Sequence, residues 1–227
     1  MSVTYLVRIL ASACAVVIIL TLHEFAHAAV AYACGDPTAK YEGRLTLNPL
    51  KHFDILGLIM FIFVGFGWAK PVPVNPNNFR HYKRDSILVS AAGVVLNLLL
   101  AFLFYPLYLL AASNRVANSY LYTFLLYFLY FFVFYNLNFC VFNLLPLYPL
   151  DGFRVVEALS TGWGKVYRFL RNYGYYILIG LIAESFLCNI LAEFLPVFDY
   201  LNILGTYLSY VINGIAWLFG KFWGLFI

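Results

Sequence analysis

Five apolar stretches, at 9–33, 86–112, 120–146, 173–195 and 201–226, take up most of this 227-residue chain. Each is long enough to cross a bilayer as a helix, which needs about 20 residues. Hydrocarbon offers no water to a backbone amide, so continuous apolar runs of this length pair their own N–H and C=O groups by becoming helical. Composition agrees. Hydrophobic residues make up 64% of the chain, charged residues 11%, and mean hydropathy is +0.85. A soluble domain carries about a quarter charged residues. Aromatic residues reach 20%, with 19 tyrosines and 4 tryptophans suited to membrane interfaces. The expected fold class is an all-α polytopic membrane protein in the lipid bilayer. It has about five spanning helices and one short re-entrant or interfacial apolar segment. Apolar segments recur to the last residue, so no cleaved leader ahead of a soluble domain is expected.

The short segment is 55–68. Its 14 residues would reach roughly 21 Å as a helix, short of a hydrocarbon core of about 30 Å. Before it, residues 41–49 alternate and carry a turn signal, so a small β-hairpin is expected there. After it, Pro71, Pro73 and Pro76 forbid a helix and favour an extended passage. The expected organisation is a core at 1–160, a loop at 161–172 and a C-terminal transmembrane hairpin at 173–227. In that hairpin Glu193 lies near an interface. Glu184 lies mid-span, either facing the bundle with a polar partner or neutral in lipid. Cys14, Cys34, Cys140 and Cys188 are scattered and read as buried thiols. The net charge of +4 carries no nucleic-acid signature.

Inside the first span stands His23-Glu24-Phe25-Ala26-His27. A helix puts positions i and i+4 on one face, so both imidazoles can meet one ion, with Glu24 beside them as a base. Zinc is the metal such pairs usually hold. Ionisable groups are costly in a span unless function requires them. Catalytic zinc usually takes three protein ligands and leaves a fourth position open. His52 and His81 sit among charged residues, where a solvated surface role is expected for each. Asp151 is the better third ligand. It follows a span broken by Pro146 and Pro149, and Gly152 lets the backbone turn close to a metal. Its alternative role is to cap the short helix that continues toward Glu157.

The pair H-E-x-x-H and Asn143-x-x-Pro146-x-x-Pro149-Leu150-Asp151-Gly152 resembles the site-2 protease family of intramembrane zinc metalloproteases. Supporting fragments are Gly67-Trp68-Ala69-Lys70-Pro71-Val72-Pro73-Val74-Asn75 and Ser90-Ala91-Ala92-Gly93-Val94-Val95-Leu96-Asn97. The second departs from the family's pattern at Val94, where proline is common. The resemblance covers roughly 10–160, and no stretch reads as a PDZ or CBS domain, so it is to a minimal form. It implies one Zn2+ held by His23, His27 and Asp151, with Glu24 as general base and a transmembrane protein as substrate. Asn97 can donate to an oxyanion or clamp the substrate backbone; its alternative is a hydrogen bond that only joins helices. Ser90, Ala91, Ala92 and Gly93 allow close helix approach, and Asn143 is expected to stabilise the broken helix end.

Charge supplies an independent check. If the three ligands share one ion, spans 9–33 and 120–146 end on the same face, and 55–68 enters and returns without crossing. That face then holds Lys40, Arg44, Lys51, Lys70, Arg80, Lys83, Arg84, Arg154, Lys165, Arg168, Arg171 and Lys221, and the other holds Arg8 and Arg115. Such a bias marks the first face as cytoplasmic, with the N-terminus outside and the C-terminus inside, in a prokaryotic cell membrane. The expected function is intramembrane endopeptidase activity. The alternative is a metal-binding membrane protein without it, such as a transporter. Transporters place ligands along a path, however, and binding alone needs no base such as Glu24.

Overall fold

The computed structural model describes residues 3–64, 67, 69–113, 119–160 and 164–227. Trp68, Arg115 and residues 161–163, which enter the expectations above, lie outside them. Along the chain run α1 (Val3–Ala33), α2 (Thr38–Tyr41), α3 (Ile55–Val64), α4 (Tyr82–Ser113), α5 (Tyr120–Asn143), α6 (Asp151–Leu159), α7 (Lys165–Ala192), α8 (Val197–Leu201) and α9 (Ile203–Trp223). Among the described residues, α1, α4, α5, α7 and α9 are long and apolar enough to span a membrane. Helix α3 would reach about 15 Å, too short to cross. The last spanning pair starts earlier than expected. Residues 165–172, read as loop, are the first turns of α7.

Helices α1, α4 and α5 pack on one another. On α1 the buried residues are small, Ala11 and Ala15, with Ile19 one turn on, and they receive Phe131 and Phe132 of α5. Without a hydrophobic drive between helices in lipid, this small-against-large fit and a few polar contacts hold the bundle. Ser12 Oγ lies 2.8 Å from Tyr135 Oη. The Arg8 guanidinium sits over the Tyr127 and Phe131 rings. Helix α9 covers the far side, where Ile212 joins Ala101, Val133, Leu137 and Val141. Trp223 Nε1 donates to the Phe102 carbonyl at 3.0 Å.

The polar excursion between α1 and α4 positions the site. No strand forms at 41–49; the hairpin gives way to α2, turns and a 3-10 turn at Pro49–Lys51. The physical reason is that its polar groups find partners elsewhere. His52 Nε2 donates to Thr46 O at 2.8 Å and Arg44 Nη2 to Lys70 O at 2.5 Å. His52 is therefore buried rather than solvated, contrary to expectation, whereas His81 is exposed. An isolated bridge, Phe53 to Ala69, and Lys70 N donating to His52 O at 2.9 Å close the base of the excursion around α3.

The extended passage 70–75 that follows is bolted to the end of α1. Asp36 is fully buried. It accepts from Thr38 N at 3.1 Å, Thr38 Oγ1 at 2.5 Å, Asn78 Nδ2 at 2.8 Å and Asn75 N at 2.7 Å. Burial alone would raise its carboxyl. The hydrogen bonds from Thr38, Asn78 and Asn75 outweigh that and hold it below the ordinary range. Of the C-terminal acids, Glu184 accepts from Ile203 N at 3.1 Å and so has a polar partner at the start of α9.

Candidate active site

His23 and His27 lie one turn apart on the buried face of α1. Asp151 is the first residue of α6, delivered to them where α5 stops at Asn143 and the prolines keep the chain from continuing. His23 Nε2 and His27 Nε2 are 3.0 Å apart, and Asp151 Oδ2 is 3.3 Å and 3.2 Å from them. Ligands at about 2.0–2.1 Å from a tetrahedral zinc are about 3.3 Å apart, so the three atoms form one face of such a tetrahedron. His27 Nδ1 donates to the Val89 carbonyl at 2.7 Å. That bond places the ring proton on Nδ1 and leaves the Nε2 lone pair toward the other two atoms. Two imidazoles and a carboxylate converging in a buried spot call for a cation among them, and the donor set suits zinc. Among the described residues this is the group of three His, Cys, Asp or Glu side chains able to share an ion. Burial pushes the Asp151 carboxyl up, but the facing His27 and His23 pull it further down, below the usual carboxylate range.

Close approach here depends on missing side chains. A Cβ on Gly93 of α4 would lie 2.5 Å from His23 Cε1, and 2.6 Å from both His23 Nδ1 and His27 Nε2. The stripe of small residues on α4 thus does more than let helices meet: Gly93 makes the room in which both rings stand. At the other wall, a Cβ on Gly152 would overlap the Leu144 and Leu145 carbonyls. Its absence lets α6 begin against the broken end of α5. Asn143 stabilises that end by donating from Nδ2 to Phe139 O at 3.0 Å. Glu157 takes Tyr167 Oη at 3.1 Å and Arg171 Nη1 at 2.9 Å, which ties α6 to α7 and leaves Asp151 free for the histidines.

Glu24 extends toward the excursion. Its Oε2 accepts from the backbone N–H of Val72 at 2.9 Å. The extended passage therefore runs past the site and orients the carboxylate. Val72 is buried with Ala28 and Ala39, which fixes the passage against α1. Asn97 is fully buried on α4, one turn beyond Gly93, and neither amide atom has a protein partner among the described residues. Among the described residues it makes no joining bond between helices.

The structure thus gathers His23, His27 and Asp151, sets Glu24 beside them and leaves His52 and His81 apart. The contributions missed from sequence are the Val89 carbonyl, the Val72 amide, the Asp36 anchor and the room at Gly93. Backbone groups carry no residue signature. The nearness of Gly93 to Asn97 in a stripe of small residues was the available signal for the fourth.

Comparisons with known proteins agree with this geometry. The model of "Peptidase family M50" matches residues 11–183. "Putative zinc metalloprotease YwhC" of Bacillus subtilis is 48% identical over 144 residues, covering 63% of this chain and 66% of that protein. "Putative zinc metalloprotease Rip2" of Mycolicibacterium smegmatis is 31% identical over 169 residues, 72% of this chain and 62% of that protein. Rip2 of Mycobacterium tuberculosis is 33% identical over 142 residues, 61% of this chain and 52% of that protein. The chain thus spans less than two thirds of the length of these curated relatives. No solved structure matches. The profile match takes in every residue of the His23–Glu24–His27–Asp151 constellation and most of the bundle around it, and the chain belongs to peptidase family M50.

Proposed function

We propose that this chain is an intramembrane zinc endopeptidase that hydrolyses peptide bonds within or beside the transmembrane segments of other membrane proteins. The observation that carries this reading is the meeting of His23, His27 and Asp151 at 3.0–3.3 Å beside a base held in place from outside its own helix. When bound, zinc supplies Lewis acidity that polarises a carbonyl and makes water acidic enough to ionise near neutral pH. Glu24 accepts the proton of the attacking water and returns it to the leaving amide nitrogen. Val72 N–H holds that carboxylate in position by donating to its Oε2. Asp151, at the positive end of α6, stays ionised as a ligand. Among the described residues the Asn97 amide has no protein partner, and one of its N–H groups can donate to the substrate carbonyl oxygen.

A helical substrate must open before a carbonyl can reach the site, because helical carbonyls are already paired. The passage 70–75 is extended and pinned at both ends, so an opened substrate can add beside it as a strand. The basic residues around the excursion support a reading in which this end of the bundle faces the cytoplasm and the N-terminus lies outside. Membrane proteins with a cytoplasmic-proximal cleavable segment are the substrate class that follows.

Replacing Glu24 tests the chemistry. Glu24→Gln in liposomes should keep about one zinc per chain and lower cleavage of a model transmembrane substrate by about 10²–10⁴-fold. Wild-type rates in that variant would remove Glu24 as the base. Asp151→Ala should lose zinc itself, and full zinc content there would remove the third ligand.

A further inference from the structure

A second line of polar atoms runs from the ligands into the bundle. His23 Nδ1, both amide atoms of Asn97 and Oδ1 of Asn136 are buried without a protein partner among the described residues. Asn97 and Asn136 are both 0% exposed and His23 is 5% exposed. Their placement follows from helix register. His27 meets Val89, and four residues back along α1 and on along α4, His23 meets Gly93. One further turn brings Ile19 level with Asn97. On α5, Phe132 clusters with Ile19 while Leu137 clusters with Ala101, and Asn136 lies between them on that buried face. The three residues thus form consecutive steps away from the metal face.

The steps have a polarity. Asn136 Nδ2 donates to Phe132 O at 2.8 Å, so its Oδ1 is left as an acceptor toward the bundle. Asn97 offers both an acceptor and N–H donors. A ligating His23 carries its proton on Nδ1 and needs an acceptor there, as His27 has in Val89 O. Buried polar atoms in a confined space with several such partners are the setting in which proteins hold internal water.

We propose that Asn97 and Asn136, joined by buried water, form a hydrogen-bonded relay that ends on His23 Nδ1, and that Asn136 is a positioning residue. Within the relay the His23 Nδ1–H and one Asn97 N–H donate away from the ligands and the last acceptor is Asn136 Oδ1, which leaves the second Asn97 N–H for a substrate carbonyl. This keeps the His23 proton on Nδ1 and its Nε2 lone pair on the metal side. The inference rests on the zinc-site reading above and adds a residue deep in α5 to it.

The test is zinc affinity, measured on the full chain in detergent by competition with a fluorescent chelator. Asn136→Leu keeps the side-chain volume and removes the acceptor. Its zinc dissociation constant should rise by roughly tenfold or more, as for other groups that orient a metal-binding histidine. The melting temperature of the zinc-free variant should change little, because Oδ1 has no protein partner to lose among the described residues and the Phe132 carbonyl that accepts from Nδ2 is also a helix-ladder acceptor. Asn136→Asp keeps an oxygen at the same place and should bind zinc within about threefold of wild type. Affinity within twofold of wild type in Asn136→Leu would overturn the proposal. So would parallel losses of affinity and zinc-free stability, or an Asn136→Asp variant as weak as Asn136→Leu. Should Asn136→Leu not fold, Asn136→Ala, which also removes the acceptor, takes its place with the same expected loss and the same overturning results. Wild-type protein that took up no zinc would instead overturn the site reading from which this one starts.

Discussion

Helices α4 and α7 are alike by length and content, 32 and 28 residues with an apolar span in each, yet they are built for different surroundings. Helix α4 buries Asp85, Val89, Ser90, Gly93, Val94, Asn97, Ala101 and Pro106. Helix α7 buries Gly174, Leu178 and Cys188 and exposes Tyr173, Tyr176, Ile179, Phe186 and Ile190. The more apolar of the two, α4, is the one that walls the site. Hydropathy therefore reports depth in the bilayer, while small and polar residues at one-turn spacing report which face meets protein.

If that distinction is right, change on α4 should be costly and change on α7 mild. The largest effect is expected at Gly93. Gly93→Ala puts a methyl group 2.6 Å from His23 Nδ1 and His27 Nε2, so at least one ring must leave the metal face. Zinc content measured by atomic absorption should fall well below one per chain and proteolysis with it; a zinc-replete Gly93→Ala protein would break the comparison. An intermediate effect is expected at Asp36, which anchors the passage but touches no ligand. Its folded value is depressed, so its stabilisation is complete above its unfolded value of 3.8 and is lost as pH falls through the lower folded value. Between pH 5 and 8 the passage should keep constant protection from limited proteolysis, whereas Asp36→Asn should loosen it throughout that range by about 1–3 kcal/mol. The smallest effect is expected on α7. Ile179→Ala, on an exposed position, should change cleavage rate less than twofold and stability by no more than about 0.5 kcal/mol. A large loss there would show that α7 contacts substrate or a partner.

How much was legible follows the same division. The spans could be read from hydropathy because the bilayer imposes one length and one kind of pairing on every crossing segment. His23, Glu24 and His27 were legible because helical spacing alone brings them together, and Asp151 because two prolines break the helix just before it. The excursion was harder. Residues 41–49 alternate like a strand, yet Thr46 O goes to His52 and the bond that could have joined two strands goes to a side chain. His52 looked solvated because its sequence neighbours are charged; it is buried because Lys70 N reaches its carbonyl from the far end of the loop. Those pairings are long-range, and local composition holds no trace of them.

The closure of that loop has a practical side. Phe53 and Ala69 meet, and His52 and Lys70 are bonded, so α3 follows directly on one fastened neck. Extending such a closed loop costs about 0.6 kcal/mol per doubling of its length. A tag, a spectroscopic label or a foreign binding module grafted between residues 54 and 69 would hang from that neck and leave Val72 standing where it steadies Glu24.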